Sequence, residues 1–192
     1  MRILVDLDGI CVNLMEPWLE WYECNLAEDD EEVSVEDITD KIHNIVRGGK
    51  KVYDALNLEG WFNQLPELPG AVAAVQKMHD AGHHVVICSS PGNSIYAPSD
   101  KTRWVFRHMP FLDKTNMIIT HQKHLVNGDI LIDDDPEKAE LYKEAWPDSQ
   151  VLAIAWPWNG HGKFDLRAQD YRDTRAAWDE ILNRVDELAA ER

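Results

Sequence analysis

Five short apolar runs punctuate the chain: Ile3 to Asp6, Val85 to Ser89, Met117 to Thr120, Ile130 to Asp133 and Val151 to Trp156. Their hydrophobicity is nearly continuous rather than alternating, which suits strands of a parallel sheet covered on both faces. Stretches with helical spacing separate most of them. After Pro69-Gly70, the residues Val72, Val75 and Met78 fall on one face, and Gly82 stands where a C-terminal cap belongs. Ser99 to His108 reads as a second helix with Trp104 and Val105 inward, and Pro136 opens a third at a first-turn position. Trp178, Ile181, Leu182, Val185 and Leu188 stripe one side of the last. Strands alternating with helices predict right-handed crossovers and an α/β fold: a doubly wound, parallel five-stranded sheet with a Rossmann-like core.

Residues 14–68 interrupt that rhythm, because strand one should pass quickly to a helix and strand two. Pro17 to Leu26 is helical in pattern. Ser34-Val35-Glu36-Asp37 forms a capping box leading into Ile38, Ile42, Ile45 and Val46. Gly48-Gly49 breaks the chain before a short helix from Val52 to Leu58, and Glu28 to Glu32 reads as a solvated acidic turn. The expected organisation is an α/β catalytic core of residues 1–13 and 69–192, with 14–68 as a small helical cap inserted after the first strand.

With 192 residues, 44% of them apolar and eight Trp among them, the chain has the means to bury a core in one domain. It lacks an apolar stretch long enough to span a membrane and opens directly into a strand without a signal pattern. Three cysteines, Cys11, Cys24 and Cys88, form no C-x-x-C pair, and Cys88 sits inside an apolar strand as a small buried thiol would. A reduced, cytoplasmic setting is the expectation. The formal charge of −16 repels nucleic acid, so no such partner is expected, and any phosphate site must be locally cationic.

The candidate chemistry sits where strands end. Ile3-Leu4-Val5-Asp6-Leu7-Asp8-Gly9 delivers two carboxylates and a glycine, and Ile130-Leu131-Ile132-Asp133-Asp134-Asp135 delivers more, far away in sequence. In open α/β sheets ligands bind outside the carboxyl ends of the strands. A carboxylate there can be a nucleophile, and a neighbour two residues on can transfer a proton. Ser89 and Lys123 complete the set. Asp133 to Asp135 before Pro136 also reads as a helix cap, and Ser90 as a second donor or a turn hydroxyl. The pairs His79 with His83 and His121 with His124 find no carboxylate or thiol partners, so no zinc site is expected.

This order and placement resemble the four motifs of the haloacid dehalogenase superfamily. Gly60-Trp61-Phe62, Leu65-Pro66-Glu67-Leu68-Pro69-Gly70-Ala71, Val86-Ile87-Cys88-Ser89-Ser90-Pro91, Ser99-Asp100-Lys101-Thr102-Arg103-Trp104 and Leu131-Ile132-Asp133-Asp134-Asp135-Pro136 resemble the 5′(3′)-deoxyribonucleotidase family, and Trp156-Pro157-Trp158-Asn159 its bacterial members. The resemblance implies magnesium-dependent hydrolysis of a nucleoside monophosphate, with Asp6 as nucleophile and Asp8 as proton donor and acceptor. It further implies that Ser89 and the backbone N–H groups after it hold the phosphoryl oxygens and that Lys123 neutralises the charge that develops there. Mg2+ is assigned to Asp6, Asp134 and the Asp8 carbonyl, with Asp133 nearby. Crowded carboxylates raise the pKa of one of them, which is the condition for Asp8 to begin as an acid. Ser90, Lys101, Trp61, Phe62 and Trp18, with Trp21, are the substrate-binding candidates. Asn13, Asn93 and His121 depart from the family pattern, which often has an Asp, a basic residue and an Arg there, and a homodimer is left open. Two other readings stand beside this one: a phosphatase of the same superfamily for another small phosphomonoester, and a non-catalytic acidic binding protein.

Overall fold

The computed structural model describes residues 1–27 and 32–192, so the acidic turn expected at Glu28 to Glu32 falls, except for Glu32, outside the described residues. Six parallel strands form one sheet: β1 (Arg2–Val5), β2 (His84–Ser89), β3 (Met117–Ile119), β4 (Ile130–Ile132), β5 (Gln150–Ala155) and β6 (Leu166–Asp170), in the order β3-β2-β1-β4-β5-β6. The sheet therefore has six strands where five were expected. The extra one, β6, is an edge strand in which only Ala168 is buried, so its sequence carries no apolar run to betray it.

Alternate strand residues serve two layers. Leu4, Val86, Cys88, Leu131 and Val151 pack against Ala139 and Tyr142 of helix α6 (Pro136–Ala145), numbered in chain order with the helices below. Ile3, Val5, Val85, Ile87, Ile130, Ile132 and Leu152 face the opposite layer, with α4 (Ala71–Asp80), α5 (Ala97–His108) and α7 (Thr174–Ala190). Both faces are covered, which is why the inner strands are apolar throughout. The chain runs from β1 outward to β3, then returns to β4 on the other side of β1. The switch in direction opens a crevice between β1 and β4.

Within residues 14–68, α1 (Met15–Asn25) is the one extended helix; α2 (Ile42–Ile45) and α3 (Trp61–Gln64) are single turns, joined by 3-10 segments at 49–53 and 55–57. The capping box forms, Asp37 accepting from the N–H and hydroxyl of Ser34 at 2.9 and 2.7 Å, but it opens only a 3-10 turn, Val35–Asp37. The longer helix expected through Ile38 to Val46 and the helix at Val52 to Leu58 are thus replaced by shorter pieces. The two ends of the segment pair antiparallel through Val12 and Glu67, with Asn13 N–H donating to the Pro66 carbonyl at 2.9 Å and Leu68 N–H to that of Cys11 at 2.8 Å. Trp104 of α5 donates its indole N–H to the Leu65 carbonyl at 2.8 Å, and Asp100 accepts from Gly60 N–H at the same distance, which seats α3 on α5.

Candidate active site

Asp6 is the first residue past β1, and its N–H donates to the Ile132 carbonyl at 2.9 Å, which holds it level with the end of β4. The chain then curls, the N–H groups of Cys11 and Val12 both reaching the Leu7 carbonyl at 2.7 and 2.8 Å. Gly9 takes a positive φ of 70° in this curl, and a Cβ there would lie 2.5 Å from Asp134 Oδ2. Glycine is required on both counts. Asp133 and Asp134 follow β4, Ser89 ends β2, and Lys123 opens a 3-10 turn after β3. The six residues read from the strand ends thus meet at the crevice.

Two buried lysines divide the work of neutralising it. Lys123 Nζ lies 2.8 Å from Asp6 Oδ2 and 2.5 Å from Asp133 Oδ2. Lys101, reaching in from α5, donates to Asp8 Oδ2 at 2.5 Å, the Ser90 carbonyl at 2.8 Å and Ser89 Oγ at 3.3 Å, with its ammonium 4.5 Å from the centre of the Phe62 ring. Asp133 is fully engaged, its other oxygen accepting the Asp135 N–H at 3.1 Å. Asp135 itself caps α6, accepting from the N–H groups of Glu137 and Lys138. No described residue donates to Asp6 Oδ1, Asp8 Oδ1 or Ser90 Oγ, although all three are buried.

Burial alone would push the Asp6 carboxyl up, but the ammonium of Lys123, with Lys138 and Lys101 farther off, outweighs it and holds the group at about 2. Asp6 is therefore a carboxylate with one oxygen pinned and the other unengaged, the state a nucleophile needs. Burial and then the neighbouring acids raise Asp134 well above the carboxylate range, and Asp133 is raised chiefly by burial. Lys138, 3.0 Å from Asp135, is raised by the surrounding carboxylates against the pull of its own burial. Asp6, Asp8, Asp133 and Asp134 crowd around the two buried ammonium groups of Lys101 and Lys123, an excess of carboxyl groups that a bound divalent cation would relieve by stabilising the ionised form of Asp134. One oxygen from each of Asp6, Asp133 and Asp134 lies within 4.8 Å of the others, a hard-oxygen set that suits magnesium. It is the sole such cluster among the described residues.

A cavity of about 320 Å3 opens above Asp6, Asp8 and Asp134. Met15, Ile38, Lys41, Ile42 and Tyr53 wall it from the 14–68 segment, with Trp158, His161 and Lys138 among the residues on the core side. His43 Nδ1 lies 2.7 Å from the Tyr53 hydroxyl and braces that ring. These wall residues were missed by sequence reasoning, which looked to Trp18, Trp21 and Trp61. Trp18 is wholly buried, donates to the Val52 carbonyl at 2.7 Å and stacks on Tyr22. Trp61 and Trp21 line a separate groove with Cys24. Trp18, Trp21 and Trp61 thus pack the inserted segment instead of facing the cavity, whereas Phe62 lies under Lys101. Of the departures from the family pattern, Asn13 exchanges hydrogen bonds with Glu16 in the first turn of α1, while Asn93 and His121 are exposed.

Over residues 1–182 the chain matches the family described as 5′ nucleotidase, deoxy (pyrimidine), cytosolic type C protein. The human cytosolic-type 5′(3′)-deoxyribonucleotidase is 32% identical over 164 residues, spanning 76% of this chain and 77% of that one. The 5′(3′)-deoxyribonucleotidase of Clostridium acetobutylicum is 29% identical over 174 residues, spanning 90% and 91%. Among solved structures, a HAD family hydrolase from Deinococcus radiodurans shares the fold with a TM-score of 0.56 at 14% identity, over 93% of this chain and 95% of that one.

Proposed function

The chain belongs to the deoxyribonucleotidase family of the haloacid dehalogenase superfamily and is a phosphomonoester hydrolase; from that premise we propose that it hydrolyses (deoxy)ribonucleoside monophosphates through a phosphoaspartate on Asp6, with magnesium bound. The observation that carries the mechanism is the state of Asp6: ionised, one oxygen held by Lys123, the other without a donor.

The unengaged Asp6 oxygen attacks phosphorus, forming an O–P bond as the ester bond opposite it breaks. Asp8 acts as general acid and gives a proton to the departing nucleoside oxygen. It then takes a proton from the water that attacks the phosphoaspartate, which releases phosphate and restores Asp6. Arrival of the phosphoryl group draws Lys101 off Asp8, so that Lys101, Lys123 and Ser89 surround its oxygens and meet the charge that develops there. Asp6 and Asp134 would hold the magnesium ion, with the Asp8 carbonyl, while Asp133 keeps Lys123 in place. The bound ion supplies Lewis-acid neutralisation of phosphoryl charge. A structure of the same fold, the heptose bisphosphate phosphatase of Bordetella bronchiseptica, holds magnesium and phosphate, in keeping with this reading. The base and sugar then occupy the cavity between Tyr53, Ile42 and Trp158.

The test is phosphate release from ribo- and deoxyribonucleoside 5′- and 3′-monophosphates, with magnesium and after thorough chelation, beside Asp6→Asn. Turnover that needs magnesium and vanishes in the variant is expected. Turnover surviving chelation would overturn the magnesium assignment, and activity confined to other small phosphomonoesters would discard the nucleotide.

A further inference from the structure

We infer that Trp158 is a positioning residue for Asp134, fixing through its indole N–H the carboxylate that would hold magnesium; the inference rests on the magnesium reading above. Trp158 Nε1 donates to Asp134 Oδ2 at 2.9 Å, and no other described side chain donates to that carboxylate. The same oxygen also abuts Gly9, close enough that a methyl group there would collide. The carboxylate thus meets both an indole edge and a bare backbone.

Trp158 is itself immobilised. Its ring stacks on Trp156 with centroids 4.6 Å apart and planes 13° from parallel, and Trp156 stacks in turn on Tyr171 at 4.7 Å and 15°. Trp156 also donates to the Gly9 carbonyl at 2.7 Å, so one stack holds both of these neighbours. Asn159 donates to the Asp134 carbonyl at 3.3 Å and to that of Ile154 at 2.9 Å, tying the Asp134 backbone to the end of β5. The tetrapeptide Trp156-Pro157-Trp158-Asn159, whose part in the chemistry was otherwise unexplained, therefore holds Asp134 at side chain and backbone together.

An indole N–H donates and never accepts, so this contact orients a carboxylate oxygen without offering to compete for the metal. Partners of this kind, one bond removed from a metal, typically carry a 10- to 100-fold effect on its affinity.

The experiment is calorimetric titration of magnesium chloride, without substrate, into the wild-type chain and Trp158→Phe. Phenylalanine keeps an aromatic ring for stacking on Trp156 but removes the N–H together with the pyrrole half of the indole. The variant is expected to bind magnesium about 10- to 100-fold more weakly, and the magnesium needed for half-maximal turnover to rise by a similar factor. Excess magnesium should then restore turnover, a response that a merely structural role would not give. Equal affinity in the two proteins overturns the inference alone; a wild-type chain that binds no magnesium overturns the proposed function and the inference with it. Metal-free melting reports whether the variant folds. If it does not, the assigned Trp158 indole N–H resonance of the wild type decides the matter: a shift on adding magnesium upholds the contact, and an unmoved resonance overturns it.

Discussion

The floor and the roof of the cavity are built differently. The floor rises from the central strands: Asp6 N–H is bonded to the Ile132 carbonyl and Asp133 N–H to the Leu152 carbonyl, so the carboxylates inherit the register of the sheet. The roof comes from residues 14–68, where Ile42 lies on a single helical turn and Tyr53 at the end of a 3-10 segment. It is tied to the core rim by exposed ion pairs, Lys41 with Glu137 at 3.0 Å and Glu36 with Arg172 at 2.8 Å, of the kind that water and salt weaken most. In the proposed mechanism the charged groups that would meet a reacting atom are carried on the strand ends, and the apolar groups that would cover a base on short pieces.

If that division holds, variants in the floor should cost far more than variants in the roof. Asp6→Asn is expected to lower turnover by roughly 10^4- to 10^6-fold with the melting midpoint retained, since the nucleophile is lost while Lys123 keeps Asp133 as partner. Single-turnover kinetics beside a thermal melt checks this, and residual turnover near wild type would remove Asp6 from the chemistry. Next comes Lys123→Met, which leaves Asp6 and Asp133 buried without their cation; a loss of about 3–5 kcal/mol in urea unfolding is expected, along with activity. In the roof, Tyr53→Ala should raise the nucleotide KM by the equivalent of about 1–3 kcal/mol, the usual worth of a base stacked on an aromatic ring, while kcat/KM for a small alkyl phosphate stays unchanged. Equal losses on both substrates would show Tyr53 to be part of the floor's machinery. Lys41→Ala should have the smallest effect on folding, leaving the melting midpoint unaltered at 0.15 M salt, a roughly physiological ionic strength.

The same contrast explains what could be read in the sequence. The strand-end acids are legible because each follows an apolar run: Asp6 after Ile3-Leu4-Val5, Asp133 after Ile130-Leu131-Ile132. Burial on both faces writes the strand and its C-terminal end in one stretch of chain. Lys101 came from motif resemblance; nothing in the periodicity of α5 distinguishes a buried lysine from a solvated one. Strand β6 was illegible because an edge strand with one buried residue has no signature. The roof was misjudged because eight tryptophans cannot be sorted by sequence into core and wall. Trp18 satisfies its N–H on a neighbouring carbonyl as a core residue does, while Trp158, from a loop distant in sequence, closes on Asp134. Tyr53 and Lys138 reach the cavity only through tertiary packing.

The antiparallel pairing of residues 11–13 with 66–68 bears on how such a chain can change over generations. Because the two ends of the long excursion are bonded to one another, the sheet meets them as it would meet a tight hairpin, whatever lies between. Lengthening the excursion costs little, since closure entropy grows only by about 0.6 kcal/mol for each doubling of loop length. Descendants could therefore trade one recognition cassette for another, and acquire new substrates, while the inherited carboxylates stay where they are.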